Sequence, residues 1–214
     1  MRGGTTLLSF EPPSALYRRP RLLNPLHALR LAKAHTQTNA DELDCLRRHA
    51  QHRMLALEIG TYMGVSAAVI AKALKVDGRL FCVDPWEPRH GRENPGLTIC
   101  RRELTRSGAL NRVVFVKAYS GNVTTELPPS FDFIFVDGDH SYEGLQTDWE
   151  IVLKRLAPNG VVCLHDTTVP PEEPHRRPAA VTFFNEMIRN HSEFEFVECC
   201  YTLNVLRRKS KLGV

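Results

Sequence analysis

The sequence predicts an α/β domain in which a seven-stranded, mostly parallel sheet is covered by helices on both faces and ends in an antiparallel hairpin. Three observations carry this. Short apolar runs alternate along the chain with longer stretches of helical periodicity, the pattern of strand–helix–strand units. The runs are apolar throughout instead of alternating with polar residues, as strands buried on both faces are. The last two runs lie too close together for a crossover helix between them, so they must pair as a hairpin.

The elements follow in order. Residues 1–25 are rich in proline and poor in periodicity, which predicts an irregular arm with a short helix around Pro25 to Ala34. Thr38, Asn39, Asp41 and Glu42 precede Leu43 and Leu46, cap chemistry ahead of a helix of about 10 residues. Strands are expected near 54–60, 79–84, 113–118, 131–137, 160–165, 194–200 and 202–208. Helices are expected near 64–75, 95–107, 142–156 and 178–191. The chain therefore divides into a basic arm (1–35), a single domain (36–208) and a basic tail (209–214). Two loops, 85–96 and 169–178, follow strand carboxyl ends and concentrate proline, charge and histidine. Open α/β sheets bind ligands at such ends, so both loops are candidate substrate lids.

Composition narrows the class. With 43% hydrophobic and 24% charged residues the chain has the balance of a soluble globular domain, and no apolar run approaches the ~20 residues of a membrane span. The six cysteines include no C-x-x-C pair, which argues for a reducing, cytoplasmic setting and against a zinc site. The net charge of +4 hides an asymmetry: residues 1–35 carry +5 and residues 207–214 carry +4, which leaves −5 for the body between them. Such ends can touch phosphates or simply stay solvated. His27, His35, His49, His52 and His191 show no ligand spacing and are expected in solvent.

The chemistry sits at the strand ends. The run Leu55–Ile59 carries Glu58 at its tip, followed by Gly60 and, at the start of the helical pattern, Gly64. The next run ends in Asp84. A nucleoside lying across two strand ends needs glycine for close backbone approach and a carboxylate to accept ribose hydroxyls. The spacing E-x-G-x-x-x-G departs from the dinucleotide fingerprint G-x-G-x-x-G, and an acid at the turn suits a cationic ligand better than a pyrophosphate. Further on, Asp137-Gly138-Asp139-His140-Ser141-Tyr142 follows the fourth strand and His165-Asp166-Thr167 follows the fifth. Carboxylate and imidazole groups on neighbouring tips can converge on one divalent cation or on one proton.

Taken together, Glu58, Gly60, Gly64, Asp84, Asp137 to Gly144 and His165-Asp166 resemble the class I methyltransferases that use S-adenosylmethionine (SAM), and within them the Methyltransf_24 branch, many members of which methylate small-molecule hydroxyls. The resemblance runs from about residue 36 to 206 and implies a Rossmann-like fold. It implies that Glu58, Gly60, Thr61, Tyr62, Gly64, Ser66, Asp84, Ser120, Asp137, Asp139 and His140 bind SAM. It implies Asp137, His165 and Asp166 as ligands of a divalent metal, magnesium or manganese, with His165 the departure from an all-oxygen set. His140, Asp137 and Asp166 are the expected catalytic residues, with His140 the base where no metal acts. The expected partner is a small-molecule acceptor bearing a hydroxyl, such as a sugar or a phenol. An arm of this length is suited to packing on a second copy, which points to a homodimer. Two other readings stand beside this one: a SAM-binding protein without catalysis, and a nucleic-acid methyltransferase prompted by the basic ends. The second lacks an N-P-P-Y or D-P-P-F segment, so nucleic acid is the less expected partner.

Overall fold

The computed structural model describes residues 19–88, 90–123, 127–170, 172 and 178–210. Most of the basic arm, the core of the second loop (173–177) and the last four residues of the tail lie outside them. The described residues form a seven-stranded sheet with strand order β3-β2-β1-β4-β5-β7-β6. Its strands are β1 (Leu55–Ile59), β2 (Arg79–Val83), β3 (Val113–Val116), β4 (Phe131–Val136), β5 (Leu156–Leu164), β6 (Phe194–Cys200) and β7 (Leu203–Arg208). Strands β1 to β5 pair in parallel. Strand β7 folds back between β5 and β6 and runs antiparallel to both. The expected mostly parallel sheet with its terminal hairpin is the architecture observed.

Period-two alternation splits the core into two layers. Ala56, Cys82, Phe133, Phe135 and Cys163 face one side of the sheet. There they meet Cys45 and Leu46 of α2 (Ala40–Ala50), Ile70 of α3 (Val65–Ala73) and Leu97 of α4 (Pro95–Arg106). Leu57, Ile59, Ile134, Val136 and Leu164 face the other side, against Trp149 of α5 (Tyr142–Arg155) and Phe183 of α6 (Pro178–Phe183). Helix α2 is the capped helix that the sequence predicts: Asn39 Oδ1 accepts from Glu42 N at 2.9 Å and Glu42 Oε2 accepts from Asn39 N at 2.9 Å, a reciprocal capping box.

Three expectations need correction. Helix α1 spans Pro20–Ala28 instead of starting at Pro25. Proline suits a first helical position, so Pro20 opens the helix, and Arg30 at φ +60° breaks it. The helix expected over 178–191 turns after Phe183 into a π-helical segment, Phe184–Ile188, and this wider turn keeps Phe184 and Ile188 buried while Met187 is exposed. His27 is fully buried instead of solvated: its Nε2 lies 2.6 Å from Glu103 Oε1, and Arg102 and Arg106 of α4 close around it.

Gly60 terminates β1 at φ +86°, and a Cβ there would lie 2.0 Å from the carbonyl oxygen of Asp137. Gly108 shares the left-handed conformation (φ +74°) but has open space around it. Replacing Gly108 by alanine should therefore cost only the backbone strain, about 1 kcal/mol in urea unfolding. Gly60→Ala, which must also push β4 away from β1, should cost at least ~3 kcal/mol.

Candidate active site

Four strand tips are held side by side because the hydrogen-bond ladder runs one residue past each strand. Gly60 N donates to Val83 O (2.9 Å), Asp84 N to Val116 O (3.2 Å), Asp137 N to Ile59 O (2.8 Å) and His165 N to Val136 O (3.0 Å). Each residue just beyond a tip is thereby fixed next to its neighbour's. A cavity of about 710 Å³ lies over the tips of β1, β2 and β4, within the range of small-molecule sites.

At one end of the cavity, Asp84 Oδ2 accepts from Tyr62 N (2.8 Å) and Oδ1 from Trp86 N (2.9 Å). These backbone donors, with Thr61 as a third, do not fill a carboxylate's acceptor capacity of about four lone-pair sites, leaving room for hydroxyl groups in the cavity. Burial pushes the Asp84 carboxyl up, against the pull of these donors. Trp86 Nε1 donates to Tyr62 O at 2.9 Å and locks the turn. Tyr62, at φ +49°, holds an unusual backbone conformation for a bulky residue. Gly60, Tyr62, Asp84, Ser120, Asp137, Asp139 and His140 all line the cavity.

Glu58, Thr61, Gly64 and Ser66 do not line it. Strand alternation turns Glu58 to the side of Ala56 and Cys82, where it is fully buried and Cys82 Sγ donates to it at 3.5 Å. Burial pushes its carboxyl up to about 7, although Ser66, Thr61 and Cys82 favour the ionised form. Glu58 thus sits beneath the glycine turn. Asp139 lines the cavity, but its two oxygens also take Ser141 N (3.0 Å) and Ser141 Oγ (2.9 Å), and Ser141 in turn caps α5 through Gly144 N.

Asp137 and His140 line the cavity, and His165 and Asp166, buried and not lining it, converge on them from behind. His165 Nδ1 lies 2.9 Å from Asp137 Oδ1 and 3.6 Å from Asp166 Oδ2. His140 Nε2 lies 3.4 Å from Asp137 Oδ1 and 3.7 Å from Asp166 Oδ2. Donor atoms of Asp137, His140 and His165 all fall within 4.8 Å of one another. Asp166 is buried and holds φ +55°, a conformation Asp tolerates better than most residues.

The other nitrogen of His165 reaches a residue that the sequence reading takes only for a helix cap. Glu42 Oε2 lies 3.3 Å from His165 Nε2, and Glu42 Oε1 accepts from Thr202 N (3.1 Å) and Thr202 Oγ1 (2.5 Å). Both Glu42 and His165 are buried. Burial alone would lower the His165 imidazole, but Asp137 beside it, with Glu42 and Asp166, pushes it up to about 10. Burial would raise the Asp137 carboxyl, yet His165 and His140 hold it below the usual carboxylate range. Gln37 and His35, on the segment before α2, also line the cavity. No sequence signal marks Glu42, Gln37 or His35, because the capping box accounts for Glu42 by itself and the other two stand in no motif.

The methyltransferase-domain family model matches residues 57–167, which is the stretch that builds these tips. The chain belongs to this methyltransferase family. Its methyltransferase domain is of the SAM-dependent class. The chain is 28% identical over 133 residues to the protein y4gI of Sinorhizobium fredii; the match takes in 56% of this chain but only 14% of that protein's length. Among solved structures it is similar to the O-methyltransferase TomG from Streptomyces achromogenes, involved in tomaymycin synthesis and solved with SAM, at 21% identity, 96% and 93% coverage of the two chains and a TM-score of 0.62. It is likewise similar to an O-methyltransferase from Bacillus cereus solved with SAH, at 20% identity, 96% and 94% coverage and a TM-score of 0.62. These likenesses establish the fold.

The buried Glu58 yields a stability prediction. An acid raised in the folded state binds a proton there that the unfolded chain has already lost, so stability falls as pH rises from 4.5, its ordinary value, to about 7. Glu58→Gln lacks this loss. Its melting temperature should gain on the parent's between pH 5 and pH 8, and a constant difference across that window would contradict the assignment.

Proposed function

We propose that this protein transfers the methyl group of SAM to a hydroxyl oxygen of a small-molecule acceptor. One observation carries the reading: a ribose-type carboxylate, Asp84, and the pair Asp137 and His140 line the same cavity, and the buried His165 and Asp166 back that pair from behind its wall. SAM brings an already activated sulfonium methyl, so the residues have to bind it, align the acceptor and take one proton. Asp84 accepts the ribose hydroxyls, and Gly60 with Tyr62 lets the backbone approach. Ser120, at the start of a 3₁₀ turn (Ser120–Asn122), lines the wall near the adenine end. Thr61, Gly64, Ser66 and Glu58 act from behind by shaping the turn. Alignment of this kind can contribute ~7 kcal/mol or more to lowering the barrier.

His140 lines the cavity with Asp137 and Asp166 beside its Nε2, which orient its ring to take the acceptor's proton. Asp137, His140 and His165, whose donor atoms fall within 4.8 Å of one another, fit a divalent cation. These three would hold it in place of the expected set with Asp166, which stands behind both histidines, and Glu42 would fix His165 through Nε2, as outer partners orient metal-bound histidines. Such a cation would hold the acceptor oxygen and favour its ionised form. Asp84, Asp137, Asp139 and Asp166 make this an acidic site, a poor match for a polyanion, and this favours a small acceptor over nucleic acid. Among the described residues no helix is long and apolar enough to cross a membrane, and the six free thiols support a reducing, cytoplasmic setting. A homodimer is part of this proposal.

Calorimetric titration with SAM should give micromolar binding that Asp84→Ala weakens by at least ~10-fold, the loss of ~1.4 kcal/mol or more from hydrogen bonds to a charged acceptor. Unchanged affinity in that variant would overturn the cofactor assignment. In a panel of phenolic and sugar hydroxyl acceptors, His140→Ala should lower SAH formation by ~10²–10⁴-fold while SAM affinity stays close to the parent's. Turnover that survives intact in this variant would remove His140 as the base.

A further inference from the structure

A second group of ligating side chains lies away from the cavity, where α2 packs against the edge strand β6. Cys45 and His49 stand one helical turn apart on α2, and Glu198 and Cys200 share one face of β6. The sulfur atoms of Cys45 and Cys200 and a carboxylate oxygen of Glu198 all lie within 4.8 Å of one another. His49 Nε2 is 2.6 Å from Glu198 Oε1, and Cys200 Sγ is 3.2 Å from Glu198 Oε2. Cys45 is buried, Cys200 is partly buried and neither is in a disulfide.

We propose that Cys45, Glu198 and Cys200, whose donor atoms already converge, form a binding site for a zinc-class divalent cation that staples α2 to β6, with His49 turning from Glu198 to become the fourth ligand. Two sulfurs with a nitrogen and an oxygen are a borderline-soft, four-donor set, which selects zinc over magnesium. In the metal-free protein Glu198 is paired with the Arg48 guanidinium, which donates to both of its carboxylate oxygens at 2.8 and 3.1 Å. Arg48 also comes within 3.7 Å of Cys200 Sγ; its side chain is half-exposed, so it can swing outward while the cation takes over its charge. An ordinary cysteine is mostly thiol at neutral pH, so both sulfurs carry protons in the metal-free protein. Binding forms two metal–sulfur bonds, breaks two S–H bonds and releases two protons to solvent. The sequence shows no C-x-x-C because the ligands come in two pairs about 150 residues apart, joined only by packing. The staple would also steady the helix that carries Glu42 one turn before Cys45.

The test is titration of the reduced, chelator-treated full chain with Co²⁺. The expected result is one thiolate-bound cobalt per chain, read from tetrahedral d–d bands and an intense thiolate-to-cobalt charge-transfer band that saturates at one equivalent of sulfur-bound metal and is bleached by Zn²⁺. Any cobalt in the Asp137, His140 and His165 cluster meets no sulfur and gives no such band, so the result is independent of the proposed methyl transfer. Cys45→Ser and Cys200→Ser should each abolish the band. Its absence in the folded parent, or its survival in both variants, would overturn the site. Should the variants fail to fold, alkylation of the parent decides. Zn²⁺ should protect Cys200 and leave Cys199, which faces the other side toward Thr168, as reactive as before. Equal protection of both cysteines, or of neither, would overturn the site.

Discussion

The parallel register of β1, β2, β4 and β5 is the constraint on which the site depends. Parallel strands end on the same edge, and here the ladder continues one residue further, so Gly60, Asp84, Asp137 and His165 are each tied by a backbone hydrogen bond to the neighbouring strand. That bond leaves each side chain little freedom other than its own rotamers. It also explains why one position must be glycine: the β1 and β4 backbones approach so closely that any Cβ at Gly60 would overlap the Asp137 carbonyl.

On this edge the charges are divided by what surrounds them. Asp84 spends its acceptors on backbone donors and remains open to the cavity. Asp137 and Asp166 face two imidazoles, and His165 is enclosed by three carboxylates, with Glu42 on its far side. Burying this many charges costs desolvation that only close pairing offsets. The cluster is therefore stable as a set: each carboxylate gains its partner from the adjacent histidine. Glu42 links this balance to the start of α2 and to Thr202 ahead of β7, so the site is braced from both ends of the domain.

Much of the fold could be read from the chain because strands buried on both faces are apolar runs and the tip residues stand out at their ends. Boundaries shifted where a local rule met a tertiary one. Pro20 opened α1 earlier than the arm's composition suggested, and the helix after Pro178 widened into a π turn to keep Phe184 and Ile188 in the core. Histidines were the least readable residues. His27 and His49 have no ligand spacing, yet one is buried against Glu103 and the other is paired with Glu198.

Local chemistry was enough to specify the order of strands and helices, the glycine turn, the acids beyond the strand tips and the family these features mark, since each depends on neighbours within a few residues. Which side of the sheet Glu58 faces, that Glu42 serves a histidine as well as a helix end, and that Cys45 lies beside Cys200 depend on packing between segments far apart in the chain. No spacing encodes such contacts; the sheet creates them when β1, β5 and β7 come together and α2 closes over one face.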